Sequence, residues 1–174
     1  MTTTAVDLTR RLEDTEALDQ LVGAVRPLAD ALVADPDRRD LLQGAWLGHA
    51  LHPVLTDLPI GFWASAVTLD LVGGRDARGA AQRLVGLGLL TWLPTAVTGW
   101  AQWAATEKRE QRVGLVHAVV NAGAMVGFAA SWSARRRGDH ARGVARGLAS
   151  VAVLGVGGYL GGHLVEMRKS ASGG

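Results

Sequence analysis

Five histidines and the few carboxylates that fall inside apolar stretches set the chemistry open to this chain, because it has no cysteine. Without thiols there is no disulfide, no thiolate metal site, no iron–sulfur cluster held within the chain and no covalent haem attachment, so any cofactor has to be held by imidazole, carboxylate or packing. The candidates are His49, His52, His117 and His163, with Asp57 and Asn121 beside them. Neutral imidazoles from facing helices can ligate the iron of haem b for one-electron transfer. In that reading His117 and His163 lead as axial ligands, His52 and His49 are additional or alternative ligands, and Asp57 and Asn121 are hydrogen-bond partners behind them. The trio His52, His117 and His163, with or without Asp57, could instead hold a divalent metal ion at about 2.0 to 2.2 Å per ligand. In a third reading the imidazoles only bridge helices, each hydrogen bond contributing on the order of 0.6 to 2 kcal/mol. No Ser/His/Asp nucleophile arrangement stands out, since Ser65 and Ser131 are isolated from the histidines, and no catalytic residue is assigned.

For these side chains to meet, the segments that carry them must bring them to one level. Residues 84–106, 113–134 and 147–165 contain no Asp, Glu, Lys or Arg, although charged residues make up 20% of the chain. Residues 54–72 are equally apolar apart from Asp57 and Asp70. Each window is long enough, at about 1.5 Å rise per residue, to cross a hydrocarbon core of about 30 Å as a helix. A soluble bundle would give every helix a polar face, which three of these lack. The sequence therefore predicts an all-α protein: a four-helix transmembrane bundle, up-down-up-down, over residues 48–166, with an N-terminal amphipathic helical extension at 1–47 and a flexible Ser/Gly tail at 167–174.

The extension carries Leu8, Leu12, Leu18, Leu21, Val22, Val25, Leu28 and Leu32 at helical spacing between charged residues, so it is expected as a surface helix packed on the bundle or lying on lipid. A start signal falls at Asp14, Thr15 and Glu16, Pro27 is expected to interrupt the helix, and Asp35-Pro36-Asp37 to end it before a second short helix at 37–47. Span one is expected to open with His52 as cap and Pro53 at the first helical position, and to stop at Gly73-Gly74. Short charged loops at 75–83, 107–112 and 135–146 force antiparallel neighbours. Small residues four apart, such as Gly157/Gly161 and Gly123/Gly127, read as helix-packing devices, and Trp46, Trp100, Trp103 and Trp132 as an interfacial belt.

With both termini on one side, called face A, His52 lies at that end of span one. His117 and His163 lie each about 7.5 Å of helix inside it. Asp57 reaches a similar depth, so Asp57, His117 and His163 are expected in one layer with His52 and His49 just above. An ionised carboxylate there costs a few kcal/mol and calls for a proton, a metal or a histidinium. Asp70 lies near the opposite face B, within reach of Arg75, Arg78 or Arg146. The run Arg135-Arg136-Arg137 reads as a membrane-edge anchor, and His140 in the same loop as solvated.

Net charge is only +2, with arginines at the span ends, which suits anionic headgroups and leaves no basic face for nucleic acid. No apolar signal-peptide core precedes the spans, so insertion is expected to use the spans themselves. The Arg-, Ala- and Gly-rich usage is that of a bacterium with a GC-rich genome, and the expected location is the bacterial inner membrane, multi-pass.

The run Leu42-Gln43-Gly44-Ala45-Trp46-Leu47-Gly48-His49-Ala50-Leu51-His52-Pro53-Val54-Leu55-Thr56-Asp57-Leu58-Pro59-Ile60-Gly61-Phe62-Trp63 resembles the signature of a bacterial membrane family, the domain of unknown function 2231. Thr98-Gly99 with Trp103, the stretch from Arg112 to Ala118 with Asn121, and Tyr159-Leu160-Gly161-Gly162-His163-Leu164-Val165 extend the resemblance over residues 40–166. Some members of that family carry a Rieske iron–sulfur domain directly after the last span. The resemblance therefore implies that the bundle works beside an electron carrier, here expected as a separate Rieske-type protein because this sequence stops at Gly174. Gln102 departs from the family pattern, in which an acidic residue often precedes the tryptophan.

Overall fold

The computed structural model describes residues 4–172, the side chains of 169–172 excepted, and all regular structure among them is helical. Three helices precede the apolar windows: α1 (Ala5–Asp14), α2 (Asp19–Leu32) and α3 (Pro36–Gln43), with 3-10 turns at Glu16–Leu18 and Ala45–Leu47. Four long helices follow: α4 (Leu51–Val72), α5 (Arg78–Trp103), α6 (Lys108–Arg136) and α7 (His140–Ser172). Each of these four is long and apolar enough to cross a membrane. The last continues through most of the stretch expected as a tail, whose final residues 173–174 lie outside the described ones.

Local chemistry places the boundaries. Thr4 and Asp7 form a reciprocal cap on α1, Thr4 Oγ1 accepting from the Asp7 amide at 3.2 Å and Asp7 Oδ2 from the Thr4 amide at 3.0 Å. Asp35 caps α3 through the Arg38 amide at 2.8 Å, with Pro36 in the first turn. Gly44 closes α3 at φ +83°, and a Cβ there would lie 2.4 Å from the His49 carbonyl oxygen, so both conformation and space demand glycine. The cap of α4 is Ala50, not His52, which sits inside the first turn.

The charged stretches expected as loops belong largely to the helices. Arg78 opens α5, Lys108 opens α6, and α6 runs through Arg136 before Gly138 turns the chain at φ +82°. Arg135 and Arg136 complement the carbonyl end of α6. Pro27 does not interrupt α2. The carbonyl it leaves without an amide, that of Gly23, lies on an exposed face where water can serve it.

The spans form two antiparallel hairpins, α4 with α5 and α6 with α7. These meet mainly along α5 and α6 and more lightly along α4 and α7. At the centre the ring of Trp63 from α4 stacks on Phe128 from α6, centroids 4.0 Å apart and planes within 10°. A Cβ on Gly88 would fall 2.2 Å from Trp63 Nε1, so glycine here makes room for an indole. Of the expected small-residue pairs, Gly157/Gly161 both face α6, whereas in Gly123/Gly127 only the second meets a neighbour, Ser150. Large apolar side chains such as Leu71, Leu90 and Val119 are about two-thirds exposed around the outside, which inverts the order of a soluble bundle and suits acyl chains.

The extension is packed on the bundle at face A. Val22 and Ala29 of α2 join Trp103, Ala104 and Leu115 in one apolar cluster. Trp103 is therefore core, 6% exposed, and not part of an interfacial belt.

Candidate functional site

Each hairpin holds one histidine by the same device. His52 on α4 directs Nδ1 at the Thr95 carbonyl of α5, 2.8 Å away, and His117 on α6 directs Nδ1 at the Gly157 carbonyl of α7, 2.9 Å away. A carbonyl oxygen can only accept, so both Nδ1 atoms carry the proton and both Nε2 atoms present a lone pair. Four residues beyond each accepting carbonyl stands a glycine under the ring. A Cβ on Gly99 would lie 2.9 Å from His52 Cε1, and one on Gly161 would lie 3.0 Å from His117 Cε1.

Pro59 adds to the first of these locks. It has no amide to give the Leu55 carbonyl, and the Thr95 hydroxyl stands 3.1 Å from that oxygen in its place. In the second, Asn121 Nδ2 lies 3.1 Å from His117 Nε2, one turn along α6 as the sequence reading expected, and a Cβ on Gly157 would strike the Asn121 amide.

The likeness extends down the two helices. The 65 residues that separate Asp70 from Arg135 also separate His52 from His117 and Trp63 from Phe128. Leu51-His52-Pro53-Val54-Leu55-Thr56 aligns at this spacing with Val116-His117-Ala118-Val119-Val120-Asn121, and Gly73 with Gly138. The hairpins are thus parallel repeats about an axis along the membrane normal. Equivalent residues of α4 and α6 fall on one face of each helix at three depths: histidines towards face A, each bonded within its own hairpin, stacked rings in the middle, an ion pair towards face B. This repeat is a signal that the reading of the sequence overlooked.

The other candidates stand apart, and helical phase explains why. Asp57 lies five residues beyond His52, about 7.5 Å deeper and about 140° around the helix at 100° per residue. It is exposed and makes no hydrogen bond or ion pair among the described residues. His163 lies two residues beyond Gly161, about 200° away from the side that meets His117. It bonds instead to Glu13 of α1, Nε2 to Oε1 at 2.7 Å. His49 is exposed in the turn before α4, its Nδ1 3.2 Å from the Ala50 carbonyl. The single layer of Asp57, His117 and His163 is therefore not formed, and among the described residues no three His, Cys, Asp or Glu stand where they could hold one metal ion.

His163 belongs to a latch between the extension and the bundle. Arg112 of α6 grips Asp19 with Nε and Nη2 at 2.7 and 2.8 Å, and its Nη1 reaches the Glu13 carbonyl at 2.7 Å. Arg109 adds an exposed contact to Asp14. The Arg112 guanidinium, by its hydrogen bonds first and its charge second, holds the Asp19 carboxyl below the usual carboxylate range.

At face B the partner of Asp70 is Arg135, not Arg75, Arg78 or Arg146. The guanidinium meets the carboxylate with two bonds, Nη1 at 2.8 Å and Nη2 at 2.5 Å, and both side chains are 2% exposed. Arg146 is directed at the Ala130 carbonyl. Because α6 continues past Arg135, that residue lies in the last turn on the inner side and is no membrane-edge anchor. His140 is half-buried at the start of α7, Nε2 3.7 Å from Asp70 Oδ1, rather than solvated. A carboxylate alone in an apolar span, with an arginine ending the helix after next, was the signal for this pair.

Four span-length apolar helices sheathed in exposed aliphatic side chains, with Asp70 and Arg135 paired in the interior, define a membrane bundle. The chain belongs to the family described as predicted membrane protein (DUF2231), which matches residues 48–171. No curated protein and no solved structure matches it.

Proposed function

We propose that the bundle is an electron-transfer subunit of the bacterial inner membrane that binds haem b between its two repeats, with His52 and His117 as the residues that would hold it. The observation that carries this reading is the matched pair of imidazoles, each fixed through Nδ1–H to a carbonyl of its own hairpin and each with its Nε2 lone pair turned away from that bond. Such a bond from the far nitrogen fixes tautomer and ring orientation and raises the basicity of the ligating one. Two protein nitrogens complete a six-coordinate haem, whereas a bare divalent ion asks for three or four protein donors, which favours the macrocycle over the ion. Bound there, haem supplies one-electron transfer. The protein's part is to hold the two rings in the orientation that their carbonyl bonds set. His117 Nε2 is available once Asn121 gives up its 3.1 Å contact. A crevice of about 310 Å³ lined by Gln43, Ala50, Gln102, Ala105 and Arg168 opens beside the His52 end of α4, which supports face A as the side for a separate Rieske-type carrier.

One observation favours a different reading. Among the described residues no buried side-chain nitrogen or oxygen lacks a partner, as in a layer that only locks helix packing and docks an assembly partner. Colour separates the two. Full-length protein purified from its own host's membranes is expected to show a Soret band that His52→Ala or His117→Ala abolishes and His163→Ala leaves in place. A colourless preparation from haem-replete cells overturns the electron-transfer reading, and a band lost equally in all three variants overturns the ligand assignment.

A further inference from the structure

Away from the histidines, the meeting line of the two hairpins opens outward as a groove of about 1030 Å³ between α5 and α6. Its walls are apolar, among them Leu89, Leu90, Trp92, Leu93 and Met125, and its face-B end carries Arg83 and Arg136. From Gln82 to Leu93 the groove follows about 16 Å of helix axis, close to the ~15 Å depth of one leaflet's hydrocarbon. Both arginines are exposed. Arg83 has no ion pair or hydrogen bond among the described residues, and Arg136 has no acidic partner, its guanidinium lying 4.9 Å from the centroid of the Trp132 ring. Trp132 in turn rests over Gly86, where a Cβ would come within 2.9 Å of its Nε1. The indole thus floors the polar end of the groove and holds one guanidinium at its mouth.

We infer that the α5–α6 groove binds an anionic membrane phospholipid of the face-B leaflet, one acyl chain along the apolar walls and the headgroup phosphate between Arg83 and Arg136. The chemistry matches end to end. A tail alone would not explain two uncompensated cations at headgroup level, and a free anion would not explain an apolar trough one leaflet deep. The bilayer supplies both parts in one molecule.

The test is native mass spectrometry of the full-length protein, released from nanodiscs of phosphatidylglycerol or of phosphatidylcholine, and in detergent with inorganic phosphate. The expected result is one retained phosphatidylglycerol, poor retention of phosphatidylcholine and no effect of phosphate. Arg83→Gln with Arg136→Gln is expected to weaken retention about thirtyfold, the equivalent of ~2 kcal/mol for two cations at about 1 kcal/mol each. Arg83→Lys with Arg136→Lys should keep most of it, and Arg142→Gln, on the same face but outside the groove, all of it. Leu90→Trp, which adds bulk to the trough and touches neither arginine, is expected to reduce retention as well. Equal retention of the two lipids, competition by inorganic phosphate, or indifference to Leu90→Trp in a variant of normal helix content would each overturn the assignment.

Discussion

The two ends of the bundle place ionisable residues on the same axis and use them in opposite ways. Towards face B, Asp70 and Arg135 neutralise each other through two bonds between side chains that water does not reach. Towards face A, the equivalent positions carry two like groups, His52 and His117, that cannot neutralise each other and turn instead to backbone carbonyls. The first pair joins α4 to α6 directly, whereas the second spends only Nδ1 of each ring on joining helices, His117 Nε2 meeting Asn121 of its own helix. In an apolar span every polar side chain must find a partner, so what marks a candidate site is capacity left over after the partners are counted.

Breaking the face-B pair has the largest expected effect. Asp70→Asn leaves a buried guanidinium without its counter-charge, a change that costs about 3 to 5 kcal/mol, and the free energy of unfolding of the purified protein in detergent should fall accordingly. Asp70→Leu with Arg135→Leu is expected to recover most of the loss, because two apolar side chains ask for nothing. If the single change proves neutral, the ion pair does not organise face B and the contrast between the ends fails.

The contrast is sharpened by the glycines at face A. Gly99→Ala and Gly161→Ala each put a Cβ about 3 Å from an imidazole carbon, an overpacking expected to cost about 1 to 3 kcal/mol. The two variants should behave alike, since the same lock is built twice. Nitrogen-15 chemical shifts of the His52 and His117 rings check the outcome: each variant should disturb its own ring's Nδ1–H bond and leave the other's intact.

The membrane bundle was legible in the sequence because it rests on composition, and clearing charge from a window of helical length needs no knowledge of neighbours. The end of the bundle that His52, His117 and His163 share was legible as well, but their levels were not: counting put His117 beside Asp57 and below His52, whereas the 65-residue repeat makes His52 and His117 equivalent. Direction was not legible either. It depends on phase around the helix, and the 140° turn between His52 and Asp57 sends two residues of one helix to different sides. The partner of Asp70 was missed for a related reason: a run of three arginines reads as a loop until α6 is known to end at Arg136, after which Arg135 alone of the three is buried. His163 was drawn to the wrong company because nothing local says that an N-terminal helix folds back over face A to present Glu13. The repeat of 65 residues was there to be read in His-x-Val-x-polar at 52 and 117, but its identities are few and only the paired depths make them convincing.

The extension gives the smallest effect and the finest test of how face A is closed. It is held by Arg112 through Asp19 and the Glu13 carbonyl, and by His163 through the Glu13 side chain. Asp19 is half-exposed and its pairing is screened by water, so the latch should open without unfolding the spans. Its carboxyl is held below the ordinary range by Arg112, and a group of that kind contributes above its unlatched pKa, near 4 for an aspartate, and loses the contribution as pH falls through the lowered value. The extension should therefore stay docked at neutral and mildly acidic pH and release only below about pH 4. Hydrogen exchange of the α2 amides is expected to rise there while that of α4 to α7 holds. Asp19→Asn, which keeps the shape and removes the charge, should raise α2 exchange at neutral pH and flatten the acid response. If exchange in α2 and in the spans rises together, the extension is part of the bundle's cooperative core and face A is closed as firmly as face B.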